Sequence, residues 1–289
     1  MILIAESGST KTSWVLVSQE GRKTRFATSG FNPYIQKREE ISGIIKEEVM
    51  PNVKDTVVEH LYYYGAGCST DVNIKLMYTC FKSFFNKAEI EVEHDLIAAA
   101  RALWLDEGGI VSILGTGSNS CVYQGGHIIA AVPSLGYILG DEGSGAYMGK
   151  ILVRDYLYSN MPGHIREKLK NEYLLDTEKA LDRIYKKENP NRWLAAFSIF
   201  IRDNIIEPYF ANLVQTSMRA FFEAHIKHYD NHKNMPLGVV GSVGYFYKDF
   251  FESAAQEYGF TLKKVIKSPV DELVKYHVPS QQEMDAQAK

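Results

Sequence analysis

A short loop near the start of the chain combines the residue types that bind an anion and its counter-cation. The loop reads Glu6-Ser7-Gly8-Ser9-Thr10-Lys11-Thr12, with apolar residues 2–5 before it and 14–17 after it. This pattern predicts a β-hairpin. Glycine lets backbone N–H groups approach an oxyanion closely, the hydroxyls and the lysine add donors, and Glu6 could hold a cation beside it. The loop therefore favours a nucleotide phosphate together with its metal ion.

A second loop repeats this design in the middle of the chain. Apolar residues 109–114 lead into Gly115-Thr116-Gly117-Ser118, and another strand-like run follows at 119–123. Two more glycine clusters lie at 136–145 and 237–244. The P-loop pattern Gly-x4-Gly-Lys-Ser/Thr is absent, and no Gly-x-Gly-x-x-Gly opens a helix after a strand in the N-terminal part. Two strand–turn–strand loops, one per half, therefore predict a two-lobed ATP-binding fold.

A carboxylate stands at the end of a predicted strand. Asp95 follows the alternating residues 89–94 and precedes the compact apolar helix predicted over 96–105. Open α/β sheets bind ligands at the carboxyl ends of their strands, which makes Asp95 a candidate catalytic base. Aspartate is also a favoured helix N-cap, so position alone leaves both roles open.

The remaining elements can be placed coarsely. Residues 2–105 predict the order βββαβαβα, residues 147–229 are mostly helical by pattern, and a last helix is predicted to open near Ser268-Pro269.

Composition limits the classes of function. The chain has 289 residues, enough for two domains, with 45% hydrophobic and 23% charged residues as in ordinary globular proteins. The net charge of −3 argues against a general nucleic-acid partner. No apolar run approaches the roughly 20 residues needed to cross a bilayer, and the N-terminus lacks a signal-peptide pattern. We therefore expect no membrane partner and a cytoplasmic location.

Cysteine usage argues against a disulfide framework. The three cysteines, Cys68, Cys80 and Cys121, are widely spaced and odd in number, which also argues against a zinc site.

Taken together, the first loop, Gly-Thr-Gly-Ser-Asn at 115–119 and Gly-Asp-Glu-Gly-Ser at 140–144 resemble one known family. It is the N-acetylglucosamine kinase-like and benzoyl-CoA-reductase-ATPase-like group of the sugar kinase, actin and heat-shock chaperone superfamily. The resemblance runs from residue 2 to about residue 244. It implies an α/β fold of two ribonuclease H-like domains, the actin-like ATPase fold, with a nucleotide cleft between them. We expect domains at 1–113 and 114–289, the second with a helical insertion and a final helix that can pack back on the first.

The resemblance also implies an activity and a set of site residues. The expected activity is an ATP- and Mg²⁺-dependent kinase of an amino sugar, with N-acetylglucosamine phosphorylated at O6. Asp95 is then the catalytic base. Glu6 and Asp141 are the expected metal ligands, although most of the superfamily has Asp at the first position. The expected nucleotide contacts are Gly8, Ser9, Thr10, Lys11, Gly115, Thr116, Gly117, Gly241, Ser242 and Gly244. The expected sugar contacts are Asn32, Ser118, Asn119, Asp141 and Gly145.

Several alternatives stay open at this point. Lys11 could be an exposed hairpin lysine and Asn32 a plain turn residue, and the histidines, His94 included, are expected to be structural or exposed. Leu135 stands where the family commonly has an aromatic residue, so N-acetylmuramic acid or another hexose remains an alternative substrate. Other family members are ATPase activators of CoA-ester reductases or dehydratases that share an iron–sulfur cluster across a dimer. Cys68 and Cys121 could supply its thiolates, which leaves a homodimer open.

Overall fold

The structure, a computed structural model, describes residues 1–8, 10–54 and 56–278. They form two compact units, one of Met1–Asp106 with the segment from Ser268 onward, and one of Glu107–Lys267. The expected boundary at 113/114 differs from this division, because strand Gly109–Leu114 pairs with strands of the second unit.

The first unit is built on a five-stranded sheet in the order β3-β2-β1-β4-β5. The first three strands form an antiparallel meander, whereas β1, β4 and β5 are parallel and need helical crossovers between them. Its strands are β1 (Ile2–Ser7), β2 (Lys11–Val17), β3 (Lys23–Ser29), β4 (His60–Gly65) and β5 (Glu89–His94). Its first helices are α1 (Arg38–Ile44), continued by a π-helical turn (Ile45–Val49) and a 3-10 turn (Met50–Val53), then α2 (Asp71–Phe84) and α3 (Asp95–Trp104).

Aromatic side chains fix the β1–β2 hairpin in the core of this unit. Trp14 is fully buried, stacks on Phe26 and meets the edges of Phe31 and Phe81. Its indole Nε1–H donates to Thr28 Oγ1 at 2.9 Å, which satisfies the one polar atom of the ring. The hairpin turn that follows Glu6 is therefore carried on a rigid base.

The second unit repeats the topology of the first. Its sheet has the order β10-β9-β6-β7-β8, again with three antiparallel strands followed by two parallel ones. The strands are β6 (Gly109–Leu114), β7 (Ser118–Gln124), β8 (His127–Val132), β9 (Leu237–Val240) and β10 (Leu262–Ile266). Two units with this arrangement confirm the predicted fold class, two ribonuclease H-like domains of the actin-like ATPase type.

Helices fill the long connection between β8 and β9, as the pattern predicted. They are α4 (Gly136–Leu139), α5 (Gly145–Leu157), α6 (Gly163–Tyr173), α7 (Thr177–Tyr185), α8 (Pro190–Asp203) and α9 (Pro208–Ala224), and α10 (Ser242–Phe246) and α11 (Lys248–Glu257) follow β9. After β10 the chain returns to the first unit, where α12 (Val270–His277) buries Val270, Leu273 and Val274 with apolar residues of β1, β2 and α3. None of the helices described here is long and apolar enough to span a bilayer.

Candidate functional site

The turn of the first hairpin is tight and internally bonded. Gly8 N–H donates to the Lys11 carbonyl at 3.0 Å, which closes the turn between β1 and β2. Ser7 at the end of β1 is fully buried, and its hydroxyl bonds to Thr12 Oγ1 at 2.7 Å and accepts Phe31 N–H at 3.1 Å. This serine therefore ties the hairpin to the segment that leads into Asn32. Ser9, one of the predicted phosphate contacts, lies outside the described residues.

Three charged side chains meet at one end of the first sheet. The pKa of Glu6 is raised to about 7: burial is the largest cause, the negative charge of Asp95 adds to it, and the positive charge of Lys11 opposes both. Asp95 and Lys11 are thus the charged groups that act on Glu6, and these three electrostatically coupled residues are called the Glu6 cluster. The cluster carries more negative than positive charge, which is the condition that a bound cation relieves.

Asp95 owes its position to the parallel strands. Ser7, Gly65 and His94 lie in one row across β1, β4 and β5, and Asp95 is the next residue along the chain. It is the first residue of α3, and the N-cap is His94, whose Nδ1 accepts Leu96 N–H at 3.1 Å. Interpreting Asp95 as the helix cap is therefore wrong. Oδ1 of Asp95 is shielded from solvent and accepts no hydrogen bond from the residues that the structure describes.

Asn32 lies at the same edge of the first sheet. Its backbone N–H donates to Gln36 Oε1 at 2.7 Å, and its side-chain Oδ1 accepts Tyr34 N–H at 3.1 Å, as in an Asx turn. The Oδ1 atom also lies against Gly67, where an added Cβ would stand 3.0 Å away. The neighbouring Phe31 N–H bonds to Ser7, so this turn sits beside the cluster formed by Glu6 and Asp95.

In the second unit, the 140–145 segment holds the β6–β7 loop by backbone hydrogen bonds. Within the loop, Gly115 N–H donates to the Gly117 carbonyl at 3.0 Å. Gly145 N–H donates to the Gly115 carbonyl at 2.9 Å, and Ala146 N–H donates to the Thr116 carbonyl at 3.1 Å. Two motifs that are 25 residues apart in the sequence thus form one structure.

Asp141 is the charged centre of that structure. It is 6% exposed, adopts a left-handed backbone with φ of 59°, and accepts Ser118 N–H on Oδ1 at 3.2 Å. Burial raises the pKa of its carboxyl, and the Ser118 N–H offsets this only in part. The Ser118 hydroxyl is itself buried and has no hydrogen-bond partner among the residues described. Asn119 beside it accepts Ser120 N–H on Oδ1 at 2.9 Å.

The fourth glycine cluster reaches the same loop from β9. Gly241 has a φ of 118°, and a Cβ there would lie 2.3 Å from the Leu114 carbonyl oxygen, so only glycine fits. A Cβ on Gly244 would collide with Val239, which brings α10 close to β9. Ser242 is exposed at the border of a cavity of about 240 Å³, whose other lining residues are Ala195, Ser198, Ile199, Arg202, Val243, Phe246 and Tyr247.

Within each unit the structure brings together predicted site residues from different segments among those it describes, and it adds residues that the sequence did not indicate. The first is His94, which was expected to be structural or exposed and contacts Asp95 instead. The others are Arg202 and Phe246 at the cavity, where the guanidinium lies 4.9 Å from the ring centroid. The order His-Asp at a strand end was a usable signal for His94. Arg202 lies 40 residues before Ser242 in a stretch without a motif, so no local pattern indicated it.

Comparison with known proteins identifies a relative that matches nearly the full length of this chain. No protein-family model and no curated protein matches the sequence. A crystal structure from Porphyromonas gingivalis, provisionally named an N-acetylglucosamine kinase, has a TM-score of 0.91 and 40% sequence identity, covering 96% of this chain and 98% of that one.

Two more distant structures share the fold alone. One, provisionally an N-acetylglucosamine kinase from Chromobacterium violaceum, has a TM-score of 0.69 at 14% identity and covers 95% of this chain and 98% of that one. The other, an ROK family glucokinase from Streptomyces griseus in complex with glucose and AMPPNP, has a TM-score of 0.57 at 14% identity, with 97% and 99% covered. With 40% identity to the first relative over nearly both whole chains, this protein belongs to the N-acetylglucosamine kinase-like family of the sugar kinase, actin and heat-shock chaperone superfamily.

Proposed function

We propose that this protein transfers the γ-phosphoryl group of ATP to a hydroxyl of an amino sugar, with O6 of N-acetylglucosamine as the expected acceptor. The observation that carries the proposal is the cluster of Glu6, Lys11 and Asp95 at the carboxyl ends of parallel strands. Phosphoryl transfer needs positioned charge more than covalent chemistry, and such a cluster supplies it. The name of the 40%-identical P. gingivalis protein agrees with this substrate.

Asp95 is the proposed catalytic base. Its Oδ1 accepts no hydrogen bond from the described residues, so it has a lone pair available for a hydroxyl proton. The sugar O–H bond breaks as the oxygen attacks the γ-phosphorus, the proton moves to the Asp95 carboxylate, and the bond from the γ-phosphorus to the bridging oxygen breaks to release ADP. Asn32, in the turn beside this cluster, is the proposed sugar contact of the first unit.

The residues present fit a magnesium ion. Burial and the negative charge of Asp95 raise the pKa of Glu6 more than Lys11 lowers it, and burial raises the pKa of Asp141, so a cation beside either carboxylate would stabilise its charged form. No group of three or more metal-ligating side chains occurs in the described parts of the chain. Nucleotide-bound Mg²⁺ needs only one or two carboxylates, since phosphates and water complete its shell, so Glu6 and Asp141 are each proposed to hold it. When bound, the ion would neutralise charge on the phosphates.

The second unit supplies the proposed nucleotide contacts. Backbone N–H groups of the loop at 115–117 are proposed to meet the phosphates, as are Gly8, Ser9, Thr10 and Lys11 in the first unit. The cavity beside Gly241, Ser242 and Gly244 is the proposed place of the adenosine, where Arg202 and Phe246 offer a cationic and an aromatic surface. The buried hydroxyl of Ser118, with Asn119, Asp141 and Gly145 around it, is the proposed sugar-facing part of this unit.

The reductase-activator alternative has a weaker structural basis. Iron–sulfur clusters are held by thiolates, and burial raises the pKa of Cys68 to about 12. Cys121 is fully buried on β7. Neither thiol is presented at the surface, so a cluster shared with a partner is disfavoured. A homodimer and a cytoplasmic location stay predictions.

A sugar panel tests the proposal. Purified protein with ATP and Mg²⁺ should release ADP strongly with N-acetylglucosamine, more weakly with N-acetylmannosamine or glucose, and little without sugar. Phosphorus NMR of the product should report a phosphate ester at O6. ADP release that is the same with and without every amino sugar and hexose would refute the kinase function, whereas a response to N-acetylmuramic acid alone would change the substrate.

A further inference from the structure

The Nδ1 atom of His94, next to the proposed base Asp95, makes two contacts that require opposite protonation states of this nitrogen. Nδ1 of His94 lies 3.0 Å from Oδ1 of Asp95 and 3.1 Å from the backbone nitrogen of Leu96. Without a proton, Nδ1 accepts the Leu96 N–H and caps α3. With a proton, it donates to Asp95 and can no longer accept from Leu96. The position of one proton thus decides which contact is a hydrogen bond.

We propose that His94 is a positioning residue that acts through Asp95 and receives the proton that Asp95 takes from the sugar hydroxyl. This inference rests on the proposed function. The proton moves first from the sugar oxygen to Oδ1 of Asp95 and then to Nδ1 of His94, leaving a carboxylate and an imidazolium. No other bond changes in the second step, and the imidazolium later gives its proton to water.

The chemistry favours this pairing. A carboxylate is ordinarily a much weaker base than an imidazole, whose affinity for protons matches neutral pH. A proton that can pass from the carboxylate to the imidazole is therefore held at a pH where a lone carboxylate would hold it poorly.

The electrostatics around His94 support the pairing. Burial opposes the charged imidazole, but the hydrogen bond and charge of Asp95, helped by Glu93, more than offset this and raise the pKa of His94. The Cys68 thiol faces the same two carboxylates from the loop after β4, and its pKa of about 12 keeps it neutral. The charges that act on His94 are therefore both negative, and both favour the protonated ring.

The N-terminus of α3 favours release of the proton from His94 after each transfer. While Nδ1 carries the proton, Leu96 N–H has lost its cap, and a positive charge stands at a helix N-terminus, where it is unfavourable. Loss of the proton to water restores the cap. The ring can reach water because the His94 side chain is 20% exposed.

The variant His94→Asn separates capping from proton transfer. Asparagine is a good N-cap with an acceptor near the place of Nδ1, but its amide does not take up a proton at neutral pH. We expect kcat to fall about tenfold, within the range known for proton-transfer groups, with the melting temperature and both KM values little changed.

The pH profile gives the second readout. Below the pKa of His94 the ring already holds a proton, so wild-type kcat should fall as the pH is lowered through that pKa, and His94→Asn should lose this limb. The matched control is His60→Asn, since His60 Nδ1 lies 3.3 Å from Glu89 Oε2 in the same sheet but away from Asp95. It should keep the wild-type rate and profile. A wild-type rate and profile in His94→Asn would overturn the proposal.

An NMR titration decides the coupling without any turnover. The His94 ring, assigned by its loss in His94→Asn, should titrate at a distinctly lower pH in Asp95→Asn than in the wild type. The same midpoint in both proteins would overturn the proposal. If no sugar releases ADP from the wild type, the proposed kinase function fails, and this titration still reports whether His94 and Asp95 share a proton.

Discussion

The carboxyl group of Asp141 lies against the α-carbon of Gly117, so close that a Cβ on residue 117 would stand 2.9 Å from Oδ2 and 3.0 Å from Oδ1. The Ser118 N–H next to this glycine holds Oδ1 at 3.2 Å. The two motifs therefore depend on each other. The glycine at 117 is explained by the carboxylate it accommodates, in addition to any phosphate that the loop meets.

Gly117→Ala should move Asp141 and slow turnover. A methyl group cannot fit without displacing the carboxyl, and a shift of about 1 Å at a reacting centre can cost on the order of 100-fold in rate. We expect kcat/KM for ATP to fall by about 10- to 100-fold, measured by coupled ADP release.

Gly163→Ala is the control for Gly117→Ala. Gly163 also lies in the second unit, at the start of α6, and an added Cβ there meets nothing within 4 Å. It should keep the wild-type kcat/KM. Equal kcat/KM values for the two variants would mean that the close contact between Gly117 and Asp141 is not needed for turnover.

Asp95→Asn should abolish transfer while leaving nucleotide binding intact. The side chains are nearly isosteric and the cap of α3 belongs to His94, so the fold should persist. Loss of a general base typically costs ~10²–10⁴-fold in rate. We expect a fall of that size in kcat, with an ATP Kd by calorimetry close to that of the wild type. Near-normal turnover in the folded variant would exclude Asp95 as the base.

The sequence predicted the fold class and the local position of these groups, because both depend on local patterns. Glycine loops between apolar strands indicated the repeated unit, and the alternation before Asp95 placed it at a strand end. The left-handed backbone of Asp141 and the narrow space at Gly117 depend on packing between segments distant in sequence, so no local pattern shows them. The same holds for the domain division, since the strand pairing of 109–114 is a long-range contact.

Amide variants of the two metal candidates should raise the Mg²⁺ requirement before they change sugar affinity. Glu6→Gln and Asp141→Asn each remove a negative oxygen ligand without changing size. Glu6→Asp should be milder, because it keeps the charge. The measurement is a Mg²⁺ titration of ADP release at saturating ATP. An unchanged Mg²⁺ dependence in both amide variants would exclude the metal role, and loss of sugar affinity alone in Asp141→Asn would make that residue a sugar contact.

Glu6 should make the protein without ligands less stable as the pH rises. Its pKa is about 7 in the folded state against 4.5 ordinarily, so the stability that Glu6 contributes is fully present below pH 4.5 and is lost as the pH rises through 7. The shift corresponds to about 3 kcal/mol once Glu6 is fully ionised. Thermal melts of Glu6→Gln should lack this loss and give a higher Tm than the wild type at pH 8.

The exposed Glu47→Gln is the control for these melts and should follow the wild-type curve. If the Tm difference between Glu6→Gln and the wild type is the same at pH 5 and pH 8, ionisation of the buried Glu6 does not lower the stability of the protein.

A hydrogen-bond chain attaches the last helix to the first sheet. Arg101 donates to the Tyr64 hydroxyl, which donates to Nε2 of His277 at 2.7 Å, and the His277 ring stacks on Tyr62 with centroids 3.6 Å apart. The pKa of His277 is lowered to about 4, chiefly by burial and in addition by the positive charge of Arg101. The ring is therefore neutral in the folded protein, and protonation would remove the acceptor at Nε2.

Acid should therefore weaken the attachment of α12. The folded pKa of about 4 lies below the ordinary 6.5, so the unfolded chain binds the proton more readily, and stability present above pH 6.5 is lost as the pH falls towards 4. For a partly exposed ring we expect a loss of about 1–2 kcal/mol, seen as a falling Tm.

The variant His277→Phe tests this prediction. It keeps the stack on Tyr62 but cannot titrate, so its Tm should fall less steeply between pH 7 and pH 4.5. The control is His60→Phe. The His60 ring also stacks on Tyr62, with centroids 6.2 Å apart, but it has no bond to Tyr64, so the Tm of this variant should change with pH as in the wild type. Parallel melting curves for His277→Phe and the wild type would show that the acid sensitivity arises elsewhere.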